Sequence, residues 1–234
     1  MQNDKIWVLV PAYNEAGSIG KMIDAVLTAG YYNILVINDG SSDKTLEVIV
    51  TKPVQVVSHA FNRGVGAATQ TGITAALSLG AEIIVTIDAD CQHDVSDIEN
   101  LVRPIVNREA EVVLGSRFKG DSKIPVLRKI SNKLGNLLTW MLFGLWVSDS
   151  QSGLKAFSRK AAQTIQIHSN GFESCSEIIR EIAWYKVKYV EVPIKVTYSE
   201  YSMAKGQSLA NGFVTVSKLI IRALMRGNYK LLPC

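Results

Sequence analysis

Near-continuous apolar runs alternate with helical patterns through the first half of the chain. The runs occupy residues 6–10, 33–39, 54–59, 82–88 and 111–116. Runs that are apolar throughout, rather than at every second residue, are typical of strands buried on both faces of a parallel sheet. Helical spacing occupies the intervals near residues 15–29, 43–51, 65–79 and 94–108. This order predicts an α/β fold with a doubly wound, mostly parallel sheet and flanking helices.

The second half loses this rhythm. It predicts an amphipathic helix over residues 122–147, a loop entering a short strand at 149–159, a helix at 173–186 and a strand at 189–199. Apolar positions and a basic stripe at helical spacing predict a C-terminal amphipathic helix over about 208–227. No linker composition separates the halves, so we expect one domain spanning residues 1–234.

Each predicted strand of the first half is followed by a polar cluster. The clusters are PAYNE (11–15), NDGSSD (38–43), HAFNRG (59–64), DADCQHD (88–94) and GSR (115–117). Ligands of open α/β sheets bind beyond the carboxyl ends of the strands, so five such clusters predict one site at that edge. Taken alone, NDGSSD is equally typical of a turn followed by a helix N-cap.

The DADCQHD cluster predicts a cation site. Asp88 and Asp90 lie two residues apart on an extended segment and therefore face the same side. Two carboxylates with the amide oxygen of Gln92 form an all-oxygen ligand set suited to Mg²⁺ or Mn²⁺. Helix capping by Asp90 or Asp94 is the alternative for the acids, and His93 is interpreted as a loop histidine bonded to backbone.

Other nucleotide-binding and metal signatures are missing from the sequence. There is no GxxxxGK[ST] segment, and GVGAAT at residues 64–69 lacks the third glycine of a dinucleotide fingerprint. The three cysteines form no CxxC pair, which disfavours structural zinc and is typical of reduced thiols in a cytosolic protein.

Charge and hydropathy indicate an anionic partner and no membrane span. The net charge of the 234-residue chain is only +4, but cations concentrate at residues 117–133 and recur every fourth residue over 218–230. Such basic surfaces favour phosphate, nucleic acid or an anionic membrane surface. The longest apolar stretch, 137–147, is well below the roughly 20 residues that a membrane span needs. The N-terminal apolar run is too short for a signal peptide.

Together these motifs resemble family-2 glycosyltransferases with the GT-A fold, and within them the dolichyl- and polyprenyl-phosphate sugar synthases. The order PAYNE, NDGSSD, N-RG-G (62–66), DADCQH and GSR carries the resemblance, extended by DSQSGLKAF (149–157) and EVPIKVTYSE (191–200). It implies an inverting, metal-dependent transfer of a sugar from a GDP- or UDP-sugar to a polyprenyl phosphate. Residues 1–117 would then bind the nucleotide sugar, and 118–234 the acceptor and the membrane.

The resemblance also implies roles for individual residues. Those expected to bind the nucleotide sugar are Pro11, Tyr13, Glu15, Asp39, Arg63 and Asp88. Those expected to hold the metal are Asp88, Asp90 and Gln92. Those expected at the reacting centre, on the sugar and acceptor side, are Asp90, Arg117, Asp149, Gln151 and Glu177.

A phosphate acceptor needs cations to bind it. The basic cluster offers Arg117, Arg128 and Lys133. Near the C-terminal strand, where the family often carries an arginine, this chain has YSMAKGQS, with Lys205 as the nearest cation. A solvated basic face is the alternative interpretation of the cluster.

The expected setting is the cytoplasmic face of a membrane, with the protein bound peripherally. The 134–147 stretch and the C-terminal helix could lie among anionic headgroups, although packing on the sheet or on a partner is an equal alternative for 134–147. A membrane subunit or a homo-oligomer is also compatible with the sequence.

Three other functions compete with this one. A family-2 transferase acting on a saccharide or lipid-linked hydroxyl would need a carboxylate base, for which Asp149 and Glu177 are the candidates. A basic nucleic-acid-binding α/β protein is disfavoured because aromatic residues are not interleaved with the cations, so no nucleic-acid partner is expected. A nucleotidyltransferase would carry a glycine-rich loop where PAYNEAG stands.

Overall fold

One seven-stranded sheet organises the computed structural model, which describes residues 3–120, 124 and 126–197. The strands are Ile6–Ala12 (β1), Ile34–Asn38 (β2), Gln55–Ser58 (β3), Ile83–Thr86 (β4), Val112–Ser116 (β5), Lys155–Ser158 (β6) and Tyr189–Pro193 (β7). The helices are Ile19–Thr28 (α1), Thr45–Ile49 (α2), Val65–Ser78 (α3), Asp97–Val106 (α4), Val126–Phe143 (α5), Arg159–Thr164 (α6) and Glu173–Trp184 (α7).

The strand order is β3-β2-β1-β4-β6-β5-β7. Every neighbouring pair is parallel except those of β6, which runs antiparallel to both β4 and β5. The predicted mostly parallel α/β sheet is therefore confirmed. The insertion of β6 was not predicted, because a four-residue strand carries no pattern that identifies its neighbours.

Both faces of the sheet are buried, which explains the unbroken apolar runs. On β1, Val8 and Val10 face a core built with α1 and α4. Trp7 and Leu9 point the other way, into a core built with α3, α6 and α7. Successive side chains of a strand alternate between faces, so a strand covered on both sides needs apolar residues at every position.

Two segments of the second half differ from the prediction. The predicted strand at 189–199 ends at Pro193, after which residues 194–197 leave the sheet and meet the loop after β4. There the Thr197 N–H donates to the Gln92 carbonyl at 2.9 Å. Helix α6 was missed because six residues are too few for a periodic pattern.

The predicted C-terminal helix at 208–227 and Lys205 lie outside the described residues. In the part of the chain that the structure describes, no helix combines the length and the hydropathy needed to cross a bilayer.

Gly72 provides a test of how closely α3 packs on β1. A Cβ added at Gly72 would overlap the side chain of Leu9, which is fully buried. We expect Gly72→Ala to lower the free energy of unfolding by about 1–2 kcal/mol, because overpacking outweighs the gain in helix propensity. Urea denaturation measures this change.

Gly135 is the matched control, since it also lies within a helix. A Cβ there would meet only Gln151 Cγ, at 3.9 Å. Gly135→Ala should therefore raise the free energy of unfolding, by up to about 1 kcal/mol. Equal stability of Gly72→Ala and the wild type would contradict the packing described.

Candidate active site

Side chains join the loops after β1 and β2 into one wall at the carboxyl edge of the sheet. Asn14 has a left-handed backbone, with φ of 54°, and its Oδ1 accepts the Ser42 N–H at 2.8 Å. The Glu15 N–H donates to Thr45 Oγ1 at 2.7 Å, and Asp43 accepts the Thr45 N–H at the start of α2. Tyr13 is exposed beside this wall.

Asp39 is buried and holds the loop that follows β3. Its Oδ1 accepts the Arg63 N–H at 2.9 Å and lies 2.6 Å from His59 Nδ1. Its Oδ2 accepts the Gly64 N–H at 2.7 Å. The carboxylate expected to meet a nucleotide thus also fixes the loop bearing Arg63, whose side chain lies at an exposed position.

Close packing explains the glycines of the GVGAAT segment (64–69), which resembles an incomplete dinucleotide fingerprint. Cβ atoms at Gly64 and Gly66 would overlap the carbonyls of Asn170 and Ser169. The Gly66 N–H also donates to the Asn170 carbonyl at 2.8 Å. These glycines therefore let the 168–170 loop approach the start of α3.

Asp88 lies at the end of β4, with 42% of its side chain exposed. A Cβ added at Gly153 would overlap both of its carboxylate oxygens, so any larger residue there would displace the Asp88 carboxylate. Burial alone would raise the pKa of Asp88, but the hydrogen bond from His93 and the charges of His93, Lys155 and Arg117 lower it overall. Asp88 is therefore held ready in its ionised form.

The pKa of Asp90 is shifted in the opposite direction, upward. Burial, and next the charge of Asp88, raise its pKa, although hydrogen bonds from Gln92 oppose the shift. The Gln92 N–H donates to Asp90 Oδ1 at 3.0 Å, and its amide donates to Oδ2. The Asp88–Asp90 pair consequently carries repulsion that a bound cation would relieve.

These two carboxylates fit a divalent cation as part of an incomplete ligand set. Nowhere in residues 3–120, 124 and 126–197 do three or more His, Cys, Asp and Glu side chains group as a ready metal site. A cation there would be held by Asp88 and Asp90, with Gln92 beside them, and would need oxygens from a substrate to complete its shell.

The structure also shows what His93 and Asp94, the other polar residues of this segment, contact. The ring of His93 is not bonded to backbone as interpreted; its Nε2 lies 3.3 Å from Asp88 Oδ2. Its buried Nδ1 has no hydrogen-bond partner among the described residues. Asp94 Oδ1 accepts the Ser96 N–H at 2.9 Å in the turn before α4; because Ser96 is itself the N-cap residue, the predicted capping by Asp94 is not observed.

Arg117 and Asp149 form a bidentate ion pair across the same edge. Arg117 Nε and Nη2 each lie 2.7 Å from an Asp149 carboxylate oxygen, and the Arg117 backbone N–H donates to Oδ2 at 3.1 Å. Asp149 is 1% exposed. The planar fork of the pair fixes the direction of the guanidinium group.

Gln151 and Glu177 contact protein groups on the α7 side. Gln151 Nε2 donates to Ser176 Oγ at 3.0 Å. Glu177 is buried and accepts the Ser169 N–H at 2.7 Å and an Arg180 N–H at 2.8 Å. Burial would raise the pKa of Glu177, but Ser169 and Arg180 lower it overall.

Of the expected acceptor cations, Arg128 lies in the first turn of α5 and Lys133 is exposed on that helix. Sequence reasoning missed Lys155, a buried lysine on β6 whose Nζ donates to the Ser152 carbonyl. No carboxylate of the described residues lies within ion-pair distance of Nζ. Its signal was visible as a cation inside the apolar run LKAF.

Comparisons with known proteins identify the family of the chain. The family model described as Glycosyl transferase family 2 matches residues 7–166. A UDP-N-acetylglucosamine–dolichyl-phosphate N-acetylglucosaminyltransferase of Methanococcus voltae is 36% identical, over 96% of this chain and 97% of that protein. A polyprenol monophosphomannose synthase of Mycolicibacterium smegmatis is 28% identical, over 92% of this chain and 86% of that protein.

A solved structure shares the fold. Glucosyl-3-phosphoglycerate synthase of Mycobacterium tuberculosis, crystallised with Mn²⁺, UDP and glucosyl-3-phosphoglycerate, superposes with a TM-score of 0.75. The match covers 95% of this chain and 79% of that chain at 19% sequence identity. The architecture is therefore that of GT-A proteins.

Asp90→Asn tests the charge balance of the cation site. Because the pKa of Asp90 is raised, its ionisation destabilises the fold as pH rises. Without metal at about pH 8, we expect the variant to melt about 2–4 °C above the wild type, corresponding to about 1 kcal/mol. The gap should shrink as the pH falls and Asp90 takes up its proton.

With Mn²⁺ and UDP added, the wild type should melt at a higher temperature than Asp90→Asn. The wild type gains thermal stability, increasingly so at higher pH, whereas Asp90→Asn gains little. Asp94→Asn is the matched control: hydrogen bonds from Ser96 lower the pKa of Asp94, so at about pH 8 the variant loses a stabilised carboxylate and melts slightly below the wild type, while it keeps the response to Mn²⁺. Equal Mn²⁺ stabilisation of Asp90→Asn and wild type would refute the assignment.

Proposed function

The chain belongs to glycosyl transferase family 2, and from that membership we propose that it transfers a sugar from a GDP- or UDP-sugar to a polyprenyl phosphate with inversion. The observation that carries this proposal is the Arg117–Asp149 pair at the same sheet edge as Asp88 and Asp90. A fixed guanidinium beside a cation site suits a reaction between two phosphate-bearing substrates.

The first half of the chain, residues 1–117, is proposed to bind the donor. The wall of loops after β1 and β2 would receive the base and ribose through Pro11, Tyr13, Glu15 and Asp39, with Arg63 at its edge. When bound at Asp88, Asp90 and Gln92, Mg²⁺ or Mn²⁺ supplies positive charge for the leaving nucleoside diphosphate.

The acceptor half, residues 118–234, is proposed to bind a phosphate monoester. With a second pKa of about 6, such a phosphate is already an anionic nucleophile at neutral pH. Its oxygen forms a bond to the anomeric carbon while the bond to the diphosphate oxygen breaks, and the electron pair leaves with the diphosphate. No proton has to be removed, so Arg117, Arg128, Lys133 and Lys205 need only bind and orient the acceptor.

The rival hydroxyl acceptor requires a carboxylate base. Both candidates already have strong partners: Asp149 with Arg117, and Glu177 with the 168–169 backbone and Arg180. A base must be reachable by the hydroxyl it deprotonates, and both carboxylates are buried. These contacts favour the phosphate acceptor.

We propose that α5 brings the protein to the cytoplasmic face of a membrane. Its exposed residues include Ile130, Leu134, Leu137 and Met141, with Lys129 and Lys133 beside them. Trp140 and Trp146 stack edge to face nearby, with ring centroids 6.1 Å apart. Aromatic, aliphatic and basic side chains together suit an anionic headgroup layer.

The first test of this function is a substrate panel. The protein is incubated with UDP- and GDP-sugars, starting with UDP-N-acetylglucosamine, together with Mn²⁺ and polyprenyl phosphate, and glycolipids are separated by chromatography. We expect a sugar–phosphate–lipid product that mild acid releases. Product formation with a polyprenyl alcohol but not with the phosphate would exclude the proposed acceptor.

A double-mutant cycle separates the roles of Asp149. If Asp149 acts by orienting Arg117, then Arg117→Lys, Asp149→Asn and the double variant should lose kcat/KM by similar factors, on the order of 10²-fold, because the pair acts as one unit. The rival base predicts that Asp149→Asn alone abolishes turnover and removes the acidic limb of the pH–rate profile. Additive losses in the cycle would contradict the orienting role.

A further inference from the structure

Helix α5 has two chemically different faces. Ile130 and Met141, on the outer face, are 60% and 67% exposed. Asn136 and Thr139 are 4% and 0% exposed and lie on the inner face. At 100° per residue, these inner positions lie roughly opposite the apolar ones. The helix proposed to meet the bilayer therefore also delivers polar groups into the interior.

Asn136 holds the backbone on both sides of Asp149. Its Nδ2 donates to the Ser148 carbonyl at 2.6 Å. Its Oδ1 accepts the Ser150 N–H at 2.9 Å and the Ser150 hydroxyl at 2.8 Å. One amide thus uses both its donor and its acceptor ends on the residues flanking Asp149.

The chain of contacts continues to the reacting centre. Asp149 holds Arg117 through two bonds of 2.7 Å. Ser148 is also tied to the end of β5, where its hydroxyl lies 2.6 Å from that of Ser116. Glu191 of β7 also accepts the Ser148 N–H at 2.7 Å and the Ser148 hydroxyl at 2.8 Å, so the sheet holds the Ser148 side of the loop. A shift of α5 that broke the Asn136 bonds would therefore loosen the loop at Ser150, the other neighbour of Asp149.

The same helix carries two of the proposed acceptor cations. Lys133 lies three residues before Asn136, on a neighbouring face, and Arg128 lies in the first turn. Binding one phosphate between these cations and Arg117 requires a fixed distance between α5 and the end of β5. Asn136 is the described side chain of α5 that bonds directly to both neighbours of Asp149.

We propose that Asn136 is a positioning residue that couples docking of α5 at an anionic bilayer to the orientation of Arg117. This rests on the proposed transfer to polyprenyl phosphate, and it adds that the bilayer is an activator as well as the location of the acceptor. Docking of the outer face stabilises the placement of α5, and Asn136 transmits that placement to Asp149.

The activity test separates the bilayer from the acceptor. The full chain is assayed with a water-soluble short-chain prenyl phosphate, with and without acceptor-free vesicles containing phosphatidylglycerol. We expect the vesicles to raise the wild-type kcat/KM by about fivefold, at the low end of coupling between sites. In Asn136→Ala the stimulation should disappear while vesicle binding by flotation is retained.

Two further variants test whether the loss of stimulation is specific to the Asn136 hydrogen bonds. Asn136→Asp keeps the side-chain shape but places a carboxylate oxygen against the Ser148 carbonyl, and the same loss of stimulation is expected. Thr139→Val removes other α5 bonds, the 2.8 Å bond to the Gly135 carbonyl and the 3.0 Å contact with Ser176 Oγ, and leaves the Asn136 bonds to Ser148 and Ser150 in place. That variant should keep the stimulation.

Hydrogen exchange provides a measurement that does not require turnover. Vesicles should slow exchange at the Ser150 amide, which donates to Asn136, in the wild type and not in Asn136→Ala. Unchanged exchange in the wild type, or equal stimulation of wild type and Asn136→Ala, would overturn the coupling. Slowed exchange with no glycolipid from any donor would refute the proposed transfer and leave the coupling supported.

Discussion

The functional edge of this protein depends on the antiparallel insertion of β6 between β4 and β5. An antiparallel strand begins where its parallel neighbours end, so the segment before β6 is delivered to the carboxyl edge of the sheet. That places Gly153 against Asp88, and Thr86 Oγ1 donates to the Gly153 carbonyl at 2.7 Å. On the other side, the Gly115 N–H donates to the Leu154 carbonyl at 3.0 Å, which brings Asp149 within reach of Arg117.

The same insertion balances the charges of the site. The hydrogen bond from His93 and the charges of Lys155 and Arg117 lower the pKa of Asp88 and so keep it ionised. Asp149 in turn fixes Arg117, so that the guanidinium charge is oriented as well as present. The pKa of Asp90, by contrast, is raised by burial and by its acidic neighbour Asp88. The uncompensated negative charge is thus concentrated at the point where a cation would bind.

The sequence predicted a residue's place in the fold where a general rule connects the local residue pattern to that place. Buried parallel strands show continuous apolar runs, and their carboxyl ends share one edge, so Asp39, Asp88 and Arg117 could be placed there in advance. The hydrogen-bond and ion-pair partners of these residues could not be predicted from the sequence. The bond of His93 to Asp88, and that of Asp149 to Arg117, join segments brought together only by the position of β6. Lys155 was visible as an unusual charge in an apolar strand, but its proximity to Asp88 depends on the same unpredicted pairing.

The two sides of the site are held by different kinds of contact. On the donor side, loops from adjacent strands are joined by side chains that bond backbone amides, as Asn14 and Asp39 do. Such loops are fixed by the sheet itself. On the acceptor side, the loop bearing Asp149 is held partly by the sheet, through Ser116 and Glu191, and partly by a helix whose outer face is apolar and exposed. The placement of that helix depends on what covers this face, since exposed apolar surface is stabilised when water is removed from it. A lipid surface can therefore act on the acceptor side while the donor side remains unchanged, which suits an enzyme that meets one substrate in water and the other in a bilayer.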